Sequence, residues 1–175
     1  VRGTGPESLP LGFQGAGLFG ISSKGELALG LNLRPATTFV SEGTLARAPF
    51  SGGAPRPILE KIRYADWSPD GSELAIVRET EKGYQIEYPI GKVLCQGPSG
   101  GYISDLRISP DGLRIGFIEH PSTNSEGSVA IVDLNGQKRM LTSLYAGDAR
   151  GLAWSAKGDE IWFTAAKGGA RNELL

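Results

Sequence analysis

Two short stretches decide the fold of this chain: Trp67-Ser68-Pro69-Asp70-Gly71 and Ile108-Ser109-Pro110-Asp111-Gly112. In each of them the proline presets φ for the first corner of a type I turn, and the aspartate tolerates the second corner. The glycine takes the positive φ that follows, where a residue with a Cβ atom would be strained. Each stretch therefore predicts a tight hairpin turn between two antiparallel strands.

The same signature returns in weaker form on either side of these two copies. The stretches 21–25 and 154–158 keep the serine and the glycine but carry a lysine, Lys24 or Lys157, where the aspartate would stand. The serines of the four copies lie 46, 41 and 46 residues apart: Ser22, Ser68, Ser109 and Ser155. A repeat of this length is typical of β-propeller blades, which take about 40–45 residues.

Apolar stretches accompany every copy of the signature. Strands are predicted to end just before the turns at Ile21, Trp67, Ile108 and Trp154, and to resume at 27–29, 74–77, 115–118 and 161–163. The stretches after the turns are apolar on both faces, which is typical of strands covered on both sides. Third strands are predicted at 44–50, 84–90 and 129–134, and fourth strands at 57–60, 92–95 and 138–142.

The repeats together predict an all-β fold, a β-propeller fragment of about three and a half four-stranded antiparallel blades. Residues 1–175 are expected to form one partial propeller domain, with repeats at about 15–60, 61–100, 101–145 and 146–175. The third strand of the last repeat is expected to begin only where the sequence ends, at Leu174-Leu175. A closed propeller has typically 4–8 blades. We therefore expect the blade faces at both ends to meet further chain or another copy.

The composition excludes several classes of protein. The chain has 175 residues, 39% of them apolar, and a net charge of −1, so no basic excess indicates nucleic-acid binding. Its 26 glycines exceed the roughly 12 expected at average usage and indicate many tight turns. No apolar run approaches the ~18 residues of a membrane span, so no membrane insertion is expected within this segment. The single cysteine, Cys95, excludes an internal disulfide framework.

The signature and its strands, from about Gly15 to the C-terminus, resemble the TolB/WD-repeat-like β-propeller family. The stretches 43–47, 65–71, 87–94 and 151–154 also resemble propeller regions of bacterial, acidobacterial-type multidomain proteins. In those proteins the propeller often follows a Ser/Thr kinase domain or a winged-helix domain. The resemblance implies a sensor or interaction module attached to an output domain, and it favours an extracytoplasmic or periplasmic location.

Motifs of catalysis and cofactor binding are weak or missing. The pattern Gly15-x-Gly17-x-x-Gly20 matches a dinucleotide-binding motif, but a β repeat follows it where the motif requires a helix. No kinase catalytic motif and no G-x-S-x-G nucleophile elbow occurs. The sequence therefore predicts no enzyme activity, no cofactor and no metal site.

Several single residues are of types that carry chemistry. His120 is the only histidine, and Cys95 is its only possible thiolate companion in a zinc site. We expect His120 to be a surface or turn residue at a strand end, because a triad with a Ser and an Asp has no motif to support it. Asp70 and Asp111 are expected to form turns rather than bind calcium, since their loops lack the alternating carboxylates of a calcium loop.

Five other side chains receive structural interpretations. Asp66 and Asp105 could form hydrogen bonds within or between blades. Trp67, Trp154 and Trp162 are expected in the core, because they are not interleaved with Lys and Arg as a groove for single-stranded nucleic acid requires.

The loops 119–127 and 96–101 are the best candidates for a contact surface, since binding is usually placed on loops of a rigid scaffold. The leading hypothesis is a non-catalytic interaction or sensor propeller that binds a protein, a peptide or a small ligand. The alternative is a regulatory or gating propeller of a Ser/Thr kinase or serine peptidase whose catalytic domain lies outside this segment. A third possibility is self-association through open blade faces.

Overall fold

A computed structural model describes residues 10–36, 40–166 and 172–175. Regular secondary structure in these ranges is entirely β, which confirms the predicted fold class. The strands are β1 (Gly17–Ile21), β2 (Glu26–Pro35), β3 (Ser41–Pro49), β4 (Arg56–Trp67), β5 (Leu74–Thr80), β6 (Gly83–Glu87), β7 (Val93–Gln96), β8 (Tyr102–Ile108), β9 (Arg114–His120), β10 (Ser128–Asp133), β11 (Lys138–Met140), β12 (Ala149–Trp154), β13 (Ile161–Ala166) and β14 (Asn172–Leu174).

The strands form three antiparallel sheets, and within each sheet every strand pairs with its neighbours along the chain. β1 to β7 make one continuous sheet, β8 to β11 a second, and β12 to β14 a third. The first sheet contains two repeats, because β4 is shared between them. Its first half pairs with β3 and its second half pairs with β5, and Lys61 at the joint has a φ of 60°. The chain is thus a β-propeller fragment of about three and a half four-stranded blades.

The signature turns have the predicted geometry. The strands before them end at Ile21, Trp67, Ile108 and Trp154. Gly71 and Gly112 have φ values of 67° and 73°, and each donates its N–H to the carbonyl of the signature serine three residues earlier at 2.8 Å. Gly25 and Gly158 repeat this arrangement with φ values of 76° and 73°.

Some strand boundaries differ from the prediction. β6 ends at Glu87 rather than at residue 90, because the chain turns there and Lys92 donates its N–H to the carbonyl of Pro89. The third strand of the last repeat begins earlier than predicted, since β14 already pairs with β13 through Asn172 to Leu174.

The core lies between successive repeats. Three clusters of buried side chains fill the spaces between the first and second, second and third, and third and fourth repeats. Ala75 and Val77 of β5, for example, pack with Ile115 and Phe117 of β9. This placement explains why the strands after the signature turns are apolar on both faces.

The three tryptophans do not share one environment. Trp67 is buried and Trp154 is half-buried, as a core position requires. The prediction is wrong for Trp162, which is 47% exposed. The side chain of Trp162 alternates with that of the buried Phe163, which packs against the third repeat, so Trp162 points to the opposite face of the last sheet.

Candidate functional site

The two loops singled out in the sequence meet at one end of the third repeat. Tyr102 at the start of β8 pairs with His120 at the end of β9, so the chain segments before β8 and after β9 leave the sheet side by side. A Cβ atom on Gly101 would overlap the carbonyl oxygen of His120 and come within 2.8 Å of Pro98. The loops are therefore in direct contact, at the end of the sheet opposite the signature turn.

A cavity of about 420 Å³ opens beside these loops. We call it the inner-strand pocket, because its lining comes largely from the first strand of three successive repeats: Tyr64 of β4, Tyr102, Ser104 and Asp105 of β8, and Ala149 to Gly151 of β12. His120 of β9 and Thr164 of β13 complete one side of the pocket. The first strands thus bring side chains from distant parts of the sequence together.

An irregularity shared by the first strands shapes this pocket. The register shifts between Ile62 and Tyr64 in β4, between Ser104 and Arg107 in β8, and between Arg150 and Leu152 in β12. Such β-bulges bend a strand and redirect the side chains near the extra residue. In two repeats the bulge places a residue at positive φ, with 52° at Asp105 and 64° at Gly151.

His120 is buried beneath the two loops. Its ring stacks on that of Tyr102 with centroids 4.0 Å apart and planes inclined by 4°. Nδ1 lies 2.9 Å from the carbonyl oxygen of Glu126, and Nε2 lies 2.8 Å from the hydroxyl of Ser104. The predicted strand-end position is correct, but the expected surface location is wrong, because the residue is only 2% exposed. Burial lowers the pKa of His120.

Asp105 connects this histidine to the next repeat. The Ser104 hydroxyl donates to Asp105 Oδ2 at 2.7 Å, and Gly151 of β12 donates its N–H to Asp105 Oδ1 at 3.1 Å. Asp66 has a similar role one repeat earlier, where its Oδ2 accepts the N–H of Ile108 at 2.7 Å. Both aspartates therefore hydrogen-bond between repeats. Burial raises the pKa of Asp66.

The Ser104–His120 pair does not have the geometry of a nucleophile. In a Ser-His-Asp triad the carboxylate accepts from the histidine and stabilises the imidazolium. Here the imidazole is oriented by a backbone carbonyl, while the carboxylate contacts the serine oxygen itself. A carboxylate there opposes negative charge on the serine oxygen, and Ser104 is only 4% exposed. The cluster is suited to hydrogen-bonded recognition and not to nucleophilic attack.

The other candidate residues lie outside the inner-strand pocket. Asp70 and Asp111 accept hydrogen bonds from Ser68 and Ser109 within their own turns, and these bonds lower the pKa of each carboxyl to about 2. Burial raises the pKa of Cys95 to about 11. In the part of the chain that the structure describes, no three His, Cys, Asp or Glu residues are grouped to hold a metal ion.

The Gly-rich pattern 15–20 ends on a strand, since Gly17 and Gly20 belong to β1. This arrangement lacks the helix that would bind a pyrophosphate. Of the described ranges, none forms a helix long and apolar enough to cross a membrane.

A second cavity, of about 400 Å³, lies on the outer face of the first repeat. Its lining is mostly apolar and includes Leu11, Phe13, Leu18, Ile21 and Leu29. Leu18 and Ile21 are 58% and 52% exposed. This face has no repeat packed against it in the described chain, unlike the opposite face of the same sheet.

Several pocket residues escaped the sequence interpretation, namely Tyr64, Tyr102, Ser104 and Gly151. One signal could have found two of them. Tyr64, Asp105 and Gly151 each lie four residues before a signature serine, so an alignment of the repeats would have placed them at equivalent positions.

Comparison with known proteins gives structural similarity only. Neither a scan against protein-family models nor a search of curated proteins found a match. Among solved structures, the chain is similar to a protein described as TolB from Agrobacterium tumefaciens, with 21% identity and a TM-score of 0.64 over 86% of this chain and 54% of that one. It is also similar to TolB from Acinetobacter baumannii, with 26% identity and a TM-score of 0.62 over 86% of this chain and 38% of that one.

The tricorn protease is a third similar structure, with 11% identity and a TM-score of 0.54 over 88% of this chain and 16% of that one. The chain spans about half the length of the first TolB structure and less than two fifths of the second. The blade arrangement and these similarities define the class of protein, which is a β-propeller segment. Within that class the fold is TolB-like.

Proposed function

We propose that this chain is a non-catalytic interaction module that binds an extended segment of a protein or peptide at the inner-strand pocket. The observation that carries the proposal is the convergence of three first strands on one cavity of about 420 Å³, beside which the two loops contact each other at His120. Ligand pockets usually have volumes of about 300–1,000 Å³. The cavity is large enough to receive one or two side chains of such a segment.

The chemistry of the lining supports a peptide. Tyr64 supplies half-buried aromatic surface with a polar hydroxyl, which is common where proteins recognise other proteins. Tyr102 is buried, and its hydroxyl donates to the carbonyl of Asn124, so it supports the pocket wall from beneath. Asp105, Asp148 and Arg150 add charges of both signs, and Asp148 pairs with Arg150. Mixed apolar and polar groups of this kind bind a chain that carries both backbone amides and side chains.

Selection of peptides displayed on phage, followed by calorimetric measurement of Kd, tests this function. We expect Thr164→Trp, which fills the pocket, and Arg150→Glu, which reverses a charge in its lining, each to weaken binding of a selected peptide at least tenfold. Arg139→Glu is the matched control, because Arg139 is exposed on the outer strand β11, and its Kd should stay within twofold of the wild-type value.

Equal affinity of all three variants would place the binding site elsewhere. Failure of the selection on folded wild-type protein, as judged by circular dichroism, would count against a peptide ligand. A small polar ligand found by screening would then be the occupant of the pocket.

A regulatory or gating role beside a catalytic domain is the second proposal. Its support is the resemblance of stretches such as 65–71 and 87–94 to propellers that accompany kinase or winged-helix domains. The gene sequence on both sides tests it. A kinase domain would favour signalling, and a serine hydrolase domain would favour a peptidase.

A further inference from the structure

The buried cluster of Ser104, His120 and Asp105 at the inner-strand pocket has one hydrogen atom fewer than its close contacts require. It contains three consecutive close contacts: Glu126 carbonyl to His120 Nδ1 at 2.9 Å, His120 Nε2 to Ser104 Oγ at 2.8 Å, and Ser104 Oγ to Asp105 Oδ2 at 2.7 Å. Each contact is a hydrogen bond only if one hydrogen lies between its two atoms.

Counting hydrogens shows the deficit. A carbonyl oxygen cannot donate, so Nδ1 of His120 must carry a hydrogen. A neutral histidine then has none on Nε2, and a carboxylate has none to give. The single hydroxyl hydrogen of Ser104 must therefore serve two contacts. With one more proton, on the ring of His120 or on the carboxyl of Asp105, all three contacts become hydrogen bonds.

We propose that Ser104, His120 and Asp105 form a binding site for one proton, which links protonation to the joint between the third and fourth repeats. The link is the second oxygen of Asp105, which accepts the N–H of Gly151 on the first strand of the fourth repeat. A proton that enters the cluster changes the charge beside this bond and with it the strength of the bond. The inference goes beyond the proposed binding function and does not depend on it.

Charged and titratable groups face the cluster from the elements packed around it. The charged side chains are Arg63 on β4, Arg107 on β8, and Asp148 and Arg150 at the start of β12. Neutral Tyr64 and Tyr102 and the backbone carbonyl of Glu126 complete the surroundings. Burial lowers the pKa of His120, while Asp105 and Asp148 act in the opposite direction. Proton entry is therefore expected on acidification below about pH 6.5, the ordinary range of histidine.

The variant Asp105→Asn supplies the missing hydrogen permanently. An asparagine can accept the Gly151 N–H with its oxygen and donate from its nitrogen to Ser104, which then donates to a neutral His120. Asparagine also tolerates the positive φ of 52° at this position. The substitution should preserve the fold while removing the need for the extra proton.

An NMR titration of the free protein tests the proposal, and His120 is the only histidine, so its ring resonance is unambiguous. In the wild type we expect the Gly151 amide resonance and the His120 ring resonance to shift with the same midpoint. In Asp105→Asn we expect the His120 midpoint to fall by about one pH unit or more, and the Gly151 amide to become insensitive to pH in this range.

Asp133→Asn is the control, because Asp133 accepts two backbone N–H bonds in its own turn on the outer part of the third repeat. An unchanged His120 midpoint in Asp105→Asn, relative to that control, would overturn the proposal.

A second variant, Ser104→Ala, tests the proposal if Asp105→Asn fails to fold. This variant removes the hydroxyl that lies between His120 and Asp105 but keeps both of those side chains. The Gly151 amide resonance should then no longer shift with the midpoint of His120. A shared midpoint of the two resonances in this variant would contradict the proposal. The titration needs no peptide, so its outcome is separate from that of the binding experiment.

Discussion

The signature serine closes each turn with its side chain, and this explains how the fourth repeat tolerates a lysine. The hydroxyls of Ser68 and Ser109 donate to the aspartate two residues later, at 2.6 and 2.5 Å. In the fourth repeat Lys157 stands at that position, and Ser155 donates instead to Asp159 at 2.7 Å. The accepting carboxylate thus lies four residues after the serine in this repeat, rather than two, and the turn keeps the same geometry.

The first prediction compares the glycines of the two strong turns. Both have positive φ, so replacement by alanine should cost each turn about 1–2 kcal/mol of unfolding free energy. A Cβ atom on Gly71 would also lie 2.7 Å from the hydroxyl of Ser23, whereas one on Gly112 meets nothing closer than 3.6 Å. Urea unfolding should therefore show Gly71→Ala to be less stable than Gly112→Ala. Equal losses of unfolding free energy in the two variants would show that the contact of the added Cβ atom with Ser23 does not destabilise the fold.

The second prediction concerns acid stability. Hydrogen bonds from Ser68 and Ser109 lower the pKa values of Asp70 and Asp111 to about 2, below the value of about 3.9 for an unfolded aspartate. The folded chain thus binds fewer protons than the unfolded chain between these values. The stabilisation is complete above about pH 4 and is lost as the pH falls toward 2.

The double variant Asp70→Asn, Asp111→Asn should flatten the fall in urea midpoint between pH 4 and pH 2. Glu81→Gln, which removes an exposed carboxylate from a tight turn, serves as the control. Parallel pH profiles for the wild type and the double variant would contradict the role given to these two carboxylates.

At the scale of elements, the first strands of the repeats both join neighbouring repeats and line the inner-strand pocket. These strands lie next to their neighbours in adjacent repeats, and cross-repeat bonds join them, such as that from the Ile108 N–H to Asp66 and that from the indole N–H of Trp154 to the carbonyl of Arg107 at 3.0 Å. Their bulges direct Tyr64 and Asp105 toward one pocket. The sheet edge that holds the repeats together thus also forms the candidate binding surface.

The third prediction tests the contact of the two loops. Gly101→Ala introduces a Cβ atom that overlaps the His120 carbonyl, so the loops must separate. We expect a loss of about 1–3 kcal/mol in unfolding free energy, together with weaker peptide binding. Ser99→Ala, at an exposed position in the same loop, is the control. A stable Gly101→Ala variant with unchanged affinity would show that the loop contact is not required.

The strands could be predicted from the sequence because they depend on residues close together along the chain. The pocket could not, because it depends on contacts between residues far apart along the chain. The turn at 67–71 and the apolar stretch 74–77 act through neighbouring residues, so their structure follows from the sequence alone. The burial of His120 depends on Tyr102 across the sheet and on the loop that carries Glu126. The bond from Gly151 to Asp105 joins residues 46 positions apart, which no local pattern reveals.

At the scale of the whole molecule, the two ends of the described chain differ from its interior. Side chains between repeats are buried, but Leu18, Ile21 and Trp162 are about half exposed or more on the outer faces of the first and last sheets. Exposed apolar patches of this kind mark surfaces that associate with another partner. We propose that these faces allow self-association of the isolated chain.

The fourth prediction follows from these faces. Sedimentation velocity should show the average mass of the chain rising with protein concentration, because burial of apolar surface favours association. Leu18→Glu combined with Ile21→Glu should shift the distribution toward the monomer. Leu113→Glu is a control, since Leu113 is equally exposed but lies in a signature turn. A wild-type chain that stays monomeric at high concentration would contradict the proposal.

We propose that the inner-strand pocket and the two loops beside it form the binding surface of this propeller segment. The most direct test is to map backbone chemical-shift changes when a selected peptide is added to the labelled protein. We expect the largest changes at Tyr64, Tyr102, Asp105 and Gly151 and in the loop 121–127. Changes confined to the signature turns or to the outer strands β7 and β11 would contradict it.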